Sequence, residues 1–170
     1  PELIGNLPQS SDLVNPQLVI EEVESAPASG NQDEEFIKIT NPHSKAIDIS
    51  DWTLSSAVTH QFKPGTVIPS NSSLYVSPDV TVFRNRATSP TGGEGAFVQE
   101  GYSGHLSNQG EIVILTDDEG VLNQAFSYEG DASDAQLYLT ISELMYHPEP
   151  DGNAEFIELV NTSESVTLDL

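Results

Sequence analysis

The sequence contains no cysteine, only five lysine and arginine residues in total, and a single methionine, Met145. Without cysteine, a disulfide framework, a thiolate metal site and a thiol nucleophile are all excluded. No apolar run approaches the roughly 20 residues that a membrane-spanning helix needs, so we expect no membrane insertion. Because the chain opens at Pro1, we expect it to be a piece of a longer protein.

Acidic residues dominate what is present. The chain has 27 of them against 5 basic residues, which gives a formal net charge of -22. Such a surface repels nucleic-acid phosphates and anionic lipid headgroups, so neither is expected as a partner. Proteins, neutral sugars and cations remain as partners, and high acidity is also typical of a protein that is simply well solvated.

Apolar residues occur in short alternating bursts, which is the pattern of half-buried strands. The bursts recur about every 8 to 12 residues and are joined by turns of Pro, Gly, Asn and Asp, as in a β-sandwich or barrel. No segment has a convincing helical period, so we expect no helix. The predicted strands cover residues 18–23, 36–39, 46–49, 52–54, 67–68, 73–76, 112–115 and 121–128.

The sequence of the first strands recurs near the end of the chain. Residues 18–23 (LVIEEV) match 139–144 (LTISEL), and residues 35–41 (EFIKITN) match 155–161 (EFIELVN). Residues 47–49 (IDI) match 168–170 (LDL) in the same order. The match predicts a second, truncated copy of the first domain, which would need another surface to cover its apolar face.

These motifs resemble the lamin tail domain family, in its bacterial secreted and surface-protein branch. The resemblance is carried by the two Glu-Phe-Ile segments, by 47–54 (IDISDWTL), by 62–69 (FKPGTVIP) and by 104–111 (GHLSNQGE). Residues 145–148 (MYHP) resemble a form found in large secreted multi-domain proteins. The family implies an all-β, immunoglobulin-like β-sandwich of the lamin-tail type and a non-catalytic role.

We therefore expect four segments. Residues 1–16 are a linker or lead-in, and residues 17–129 form the lamin-tail-like domain. Residues 130–137 form a linker, and residues 138–170 begin the truncated second repeat, which adds strands from an incomplete domain. We expect residues 139–170 to be ordered by packing on the first domain or on a second chain.

No catalytic, cofactor or metal-binding residue is predicted. His43, His60, His105 and His147 lack the short spacings of zinc ligands, so each is interpreted as a surface or strand-end residue. No nucleophile elbow marks a serine, and Thr91–Gly95 lacks the helix and lysine of a phosphate loop, so we expect a flexible loop there.

The acidic clusters lie in turns and linkers, which favours solvated loops over a catalytic carboxylate pair. They comprise residues 33–35, residues 117–119, Glu129 and Asp131. Calcium binds several oxygens at such loops, so structural calcium stays open although no EF-hand pattern is present.

Trp52 is predicted to belong to the core, because it is in phase with Ile47, Ile49 and Leu54. The alternative is an exposed indole that stacks on a sugar ring. Tyr75, Tyr102 and Tyr128 are interpreted as core or edge residues, and Arg84 and Arg86 as partners of acids or as one contact site.

The expected function is that of an interaction or spacer module, not an enzyme, in a secreted or cell-surface multi-domain bacterial protein. Its partners would be other proteins or neighbouring domains, with a dimer through the truncated repeat left open. One alternative is a carbohydrate-binding accessory module. Another is a fragment of a hydrolase whose catalytic domain lies outside the chain.

Overall fold

The structure is a computed structural model that describes residues 15–146, 148 and 154–169. The chain divides into two compact units, Pro1–Gly130 and Asp131–Leu170. Of the lead-in 1–16, only Asn15 and Pro16 are among the described residues. His147 and Leu170 also lie outside them.

The first unit is built almost entirely of short strands. They are β1 (Val19–Glu24), β2 (Phe36–Asn41), β3 (Ile47–Asp48), β4 (Thr53–Ser56), β5 (Val58–Gln61), β6 (Val67–Ile68), β7 (Ser72–Ser77), β8 (Phe97–Glu100), β9 (Ser103–Gly104), β10 (Glu111–Thr116) and β11 (Leu122–Tyr128). One helical turn, α1 (Val80–Arg84), lies between β7 and β8.

Two sheets carry most of these strands. One has the order β1-β2-β7-β8, antiparallel except that β7 and β8 run parallel. The other has the order β11-β10-β4-β5-β9, and the short strands β3 and β6 pair separately. The predicted fold class, an all-β immunoglobulin-like sandwich, is confirmed.

The core is formed by the inward-facing residues of both sheets. Ile37, Ile39 and Leu74 come from the first sheet, and Leu54 and Leu115 from the second. Each of these side chains is fully buried. Burial follows the period of two along the strands, as the sequence pattern predicted.

The expectation that no helix is present is wrong in two places. In α1, the Asp79 carboxylate accepts hydrogen bonds from the backbone N–H groups of Thr81 (2.7 Å) and Val82 (3.0 Å). This N-cap starts a helical turn among β-branched residues, and the turn buries Phe83. The second case, α2 (Asp134–Tyr138), begins inside the predicted linker and ends one residue beyond it, and Ser133 and Gln136 form a capping box at its start.

The glycine-rich segment between α1 and β8 folds as a 3₁₀ turn over Gly92–Glu94. A Cβ atom at Gly92 would lie 2.8 Å from the carbonyl oxygen of Arg84, so only glycine fits against the end of α1. The turn leads into a strand, unlike a phosphate loop, which leads into a helix.

The second unit contains α2 and a hairpin of β12 (Leu139–Met145) and β13 (Phe156–Asn161). Residues 168–169, which match the two residues of β3, are not in a strand. Among all described residues, no helix is long and apolar enough to cross a membrane.

The two hairpins have the same register. Ile20 pairs with Ile39 and Val23 with Ile37 in the first, as Ile141 pairs with Leu159 and Leu144 with Ile157 in the second. Each first strand has one bulge, at Glu21 and at Ser142. The second hairpin thus repeats the first residue by residue, including the irregularity.

The two hairpins differ in burial. Ile20 is 1% exposed and Ile37 is 0% exposed, whereas Ile141 is 60% and Ile157 61% exposed. In the first unit the corresponding face is covered by the core, and in the second hairpin the apolar side chains are open.

Candidate functional site

A cleft of about 290 Å³ lies at one end of the first unit. Three segments that are distant in sequence meet there: the lead-in to β1, the end of β3 with its connection to β4, and the hairpin turn between β10 and β11 with the start of β11. The lining residues are Asn15, Pro16, Asp48, Trp52, Asp117, Asp118, Glu119 and Asn123.

Strand pairing brings the indole beside the acidic turn. Thr53 pairs with Thr116 across β4 and β10, and their hydroxyl oxygens lie 2.6 Å apart. Trp52 precedes the first of these residues and Asp117 follows the second. The cleft is therefore positioned by two central strands, and such a scaffold holds its loops in place.

Backbone hydrogen bonds hold the turn that forms one wall. Asp117 Oδ1 accepts from the N–H groups of Glu119 (3.1 Å) and Val121 (2.7 Å). Gly120 has a φ of +80°, which glycine adopts without strain. The turn is consequently fixed by its own carboxylate, and the next two acidic side chains extend from it.

The other walls are held in a similar way. Asp48 Oδ1 accepts from Ser50 N (2.9 Å) and from the Ser50 hydroxyl (2.6 Å). Asn123 donates from its side chain to the Pro16 carbonyl (2.8 Å) and accepts from Leu18 N (3.1 Å). These two bonds tie the lead-in to β11.

The cleft carries negative charge without a balancing cation. Four of the described lining residues are Asp or Glu, and none is Lys, Arg or His. The Asp118 and Glu119 carboxylates are exposed and form no hydrogen bond or ion pair with the described part of the chain. This pattern produces a local negative potential that favours a cation.

Trp52 belongs to the core, as predicted, and is only 5% exposed. Its indole N–H has no hydrogen-bond partner among the described residues, yet the side chain lines the cleft. The core assignment is confirmed, and the burial does not support the flat exposed ring that sugar stacking requires.

The interpretation of residues 33–35 as solvated is wrong for Glu35, which is fully buried. Its Oε2 accepts from the Tyr102 hydroxyl and from Leu106 N, both at 3.0 Å, while Oε1 is buried without a partner among the described residues. Burial raises the pKa of this carboxyl, because lost hydration outweighs the two hydrogen bonds. Glu35 thus tethers the loop before β10.

The two arginines have separate environments. Arg86 is buried: it donates to the Glu34 carbonyl, lies 3.7 Å from Glu24 and stacks over Phe36 at 4.9 Å. Arg84 is exposed. Arg86 therefore pairs with an acid, and the two do not form one contact site.

The three described histidines lie in different surroundings. His43 is half-buried and His105 exposed, as expected of surface residues. The strand-end interpretation is wrong for His60, which faces the core from β5 and packs edge-on against Phe62 at 5.0 Å. Burial lowers the pKa of His60. Within the described ranges, no three His, Asp or Glu residues are grouped so as to hold a metal ion.

The tyrosines occupy core and edge positions, as predicted. Tyr102 is buried, and burial raises its pKa. Tyr128 is half-buried and donates to the Ser107 carbonyl (3.1 Å), and burial raises its pKa to about 12. Both side chains stabilise the loop before β10: Tyr102 donates to Glu35, and Tyr128 donates to a carbonyl of the loop.

Comparison with curated proteins gave no match. Comparison with protein families gave one: the family model described as Lamin Tail Domain matches residues 13–130. The match spans the whole sandwich, including residues 35–41, 47–54, 62–69 and 104–111, on which the resemblance was based, whereas the second Glu-Phe-Ile segment and residues 145–148 lie outside it. The chain therefore belongs to the lamin tail domain family.

Proposed function

We propose that this chain is a non-catalytic interaction and spacer module of a secreted or cell-surface bacterial multi-domain protein. Its immunoglobulin-like sandwich supports this role, because a rigid scaffold can display loops and hold neighbouring domains apart. We further propose that residues 139–170 begin a second copy of the same module.

The shared register of the two hairpins carries the tandem proposal. A one-residue bulge at the same place in both is a specific feature that alternation alone does not require. The strand ends agree as well: Asn41 and Asn161 each accept from the N–H two residues later, at 2.9 Å.

The exposure of the second hairpin on both faces fits the same proposal. Phe36 is fully buried, whereas its counterpart Phe156 is 44% exposed. Glu35 is tethered to Tyr102 and Leu106, whereas its counterpart Glu155 is exposed. The second hairpin has the surface that the other strands of a lamin-tail sandwich cover.

Self-association through the second hairpin is a second candidate, favoured by the same exposed apolar face. The net charge of -22 on each copy opposes it, so a dimer should form more readily as salt screens the repulsion. Light scattering over a dilution series at low and high salt tests this. A monomer under all conditions excludes the dimer.

Hairpin exchange tests the tandem proposal. Six substitutions give residues 18–23 and 35–41 the sequence of residues 139–144 and 155–161: Val19→Thr, Glu21→Ser, Val23→Leu, Lys38→Glu, Ile39→Leu and Thr40→Val. The substitutions at core positions conserve volume closely, so each should lower the free energy of unfolding by less than about 1.5 kcal/mol. We expect the variant to keep a cooperative thermal transition and a dispersed amide NMR spectrum.

The matched control has the same six substitutions and one extra alanine inserted after Ile37. Because β2 is paired on both sides, by β1 and β7, the insertion moves one end of β2 to the opposite face, so this variant should not fold. If the six-fold variant unfolds, or if the control melts like it, the two hairpins are not equivalent.

Surface labelling tests the proposed location. An antibody against the folded first unit should bind intact cells of the source organism. Binding only after the cells are made permeable would contradict a surface module.

A further inference from the structure

We propose that two copies of this module associate through the outer face of the second sheet, β11-β10-β4-β5-β9. This inference rests on the proposed interaction role and names a partner for it, a second copy of the chain. The two faces pack against each other about a two-fold axis, so each copy contributes the same surface.

The second sheet presents an uncharged face to solvent. Strand pairing places Ile114 between Ala125 of β11 and Ser55 of β4, and Thr116 between Leu122 and Thr53. The residues between them along the strands, such as Leu54 and Leu115, point into the core. The uncharged face comprises Leu122, Ala125, Ser127, Ile112, Ile114, Thr116, Thr53, Ser55, Thr59, Gln61 and Ser103, none of which is acidic or basic.

The outer face of the first sheet is different. It carries Lys38, which lies opposite Glu22 and has its Nζ 3.2 Å from a carboxylate oxygen of Glu21. The absence of charge is therefore a property of the second sheet, in a chain whose net charge is -22.

Charge also decides which partner the uncharged face suits. A basic partner is attracted by carboxylates and needs no surface without them. An acidic partner is repelled by carboxylates, so it can approach most closely where they are missing. A second copy of this chain is such a partner, and two uncharged faces meet without burying an unpaired charge.

Apolar side chains on the uncharged face favour association. Leu122 is 58% exposed and Ile112 is 48% exposed, and Ala125 is exposed beside them. Burial of these side chains removes apolar surface from water, while the serine and threonine hydroxyls can donate and accept across the contact. The face includes no aromatic ring on which a sugar could stack.

The size of the face indicates a weak dimer. From ordinary strand spacing and rise, it measures roughly 19 Å across the strands and roughly 17 Å along them. Two such faces cover on the order of 650 Å², below the about 1,200 to 2,000 Å² of a stable interface. Association between free modules is therefore weak, and modules held close together on one surface associate more readily.

Sedimentation equilibrium of the whole chain tests the proposal, at concentrations up to the millimolar range and at low and high salt. High salt screens the repulsion between two copies, so the dimer fraction should rise with salt as well as with concentration. We also expect concentration-dependent amide NMR shifts confined to the strands of the uncharged face.

The test variant is Ile112→Lys, which places a charge on the uncharged face while making the chain less negative. The matched control is Val19→Lys, which adds the same charge on the outer face of the first sheet, where Val19 is 38% exposed. Ile112→Lys should weaken dimerisation at least about 10-fold, because a two-fold interface contains the substitution twice. Val19→Lys should leave dimerisation unchanged or slightly stronger, because the repulsion between copies falls.

Two further variants keep the result unambiguous. Leu122→Lys repeats the test on the neighbouring strand, and an unchanged thermal transition shows that each variant is folded. Leu144→Lys, on β12, tests association through the second hairpin and should leave the dimer intact.

A chain that stays monomeric at every concentration and salt would overturn the proposal. So would equal weakening by Ile112→Lys and Val19→Lys, or loss of the dimer with Leu144→Lys alone. Shifts of the same amides on addition of a soluble neutral glucan, without dimerisation, would assign the face to a sugar instead. None of these results bears on hairpin exchange or surface labelling, so this proposal and the proposed function can fail separately.

Discussion

The first hairpin, β1–β2, and the second, β12–β13, are two versions of one local structure in different surroundings. Both have the same pairing, the same bulge and the same terminal asparagine. In the first, the apolar face is buried in the core, and in the second the same face is open. Pairing thus depends on the hairpin alone, whereas burial depends on what covers it.

This difference separates two contributions to stability. Cross-strand pairs and turns give each hairpin its register, and an isolated two-stranded hairpin is only marginally stable. The core supplies the remaining stability of the first unit. Equivalent substitutions in the two hairpins should therefore have very different effects on the free energy of unfolding.

The largest difference is expected at the matched phenylalanines. Phe36 packs edge-on against Tyr75 and Phe83 with ring centroids 5.4 and 5.8 Å apart. Phe36→Ala should destabilise the first unit by about 3 to 5 kcal/mol, as a large buried aromatic does. Phe156→Ala should leave that unfolding transition within about 0.5 kcal/mol. Urea unfolding followed by Trp52 fluorescence measures both, and equal losses would contradict the comparison.

A smaller difference is expected at the asparagines. Asn41 is fully buried and donates to the carbonyls of Lys45 (2.9 Å), Ile68 (3.0 Å) and Pro69 (3.0 Å). Asn41→Ala leaves buried carbonyls unpaired and should cost about 1 to 3 kcal/mol. Asn161→Ala, at an exposed position, should not change the urea midpoint of the first unit.

The buried carboxyl adds a pH-dependent difference. The folded chain raises the pKa of Glu35 above its ordinary value of 4.5, so this group's contribution to stability is full below that pH and is lost as pH rises through the folded pKa. Glu35→Gln keeps the shape and an acceptor oxygen. The free energy of unfolding of the wild type minus that of this variant should therefore fall as the pH rises above 4.5 and through the raised pKa of the folded chain.

Glu155→Gln is the control for this pH profile, because it also removes one negative charge. It should leave the profile of the first unit unchanged. A wild-type advantage over Glu35→Gln that grows with pH would show that the folded pKa is lowered instead.

The smallest expected effect concerns one cross-strand pair. Lys38 is paired with Glu22 and forms an ion pair with Glu21 at 3.2 Å, but its counterpart Glu158 is paired with Glu143. Like charges directly opposite are unfavourable, so Glu158→Lys should stabilise the second hairpin by about 0.2 to 1 kcal/mol. Amide exchange of β12 and β13 measures this. Slower exchange after Glu158→Gln than after Glu158→Lys would exclude the charge explanation.

Alternation and turn residues predicted most of the sandwich strands and the core position of Trp52, but the strands β5, β8 and β9 were not predicted. The two helical turns were missed for different reasons. The capping box of Ser133 and Gln136 was readable in the sequence. In α1, by contrast, a single capping aspartate starts a helical turn among β-branched residues, which favour strands.

The buried polar groups and the cleft were not predictable from the sequence. Glu35 and Arg86 are buried only because loops and aromatic rings from distant parts of the sequence surround them. The residues next to them in the sequence do not indicate these partners. The cleft likewise depends on the register that sets Thr53 against Thr116. Asp48 and Asn123 join it from separate strands, and no spacing in the sequence relates them.

Native-state amide hydrogen exchange on the whole chain tests the comparison of the two hairpins most directly. We predict that the same paired amides are protected in β12–β13 as in β1–β2, with the interruption at Ser142 matching that at Glu21. Exchange in β12–β13 should proceed by local opening, and in β1–β2 by unfolding of the sandwich. A shifted pattern of protected amides in β12–β13, or protection equal to that of β1–β2, would contradict the account.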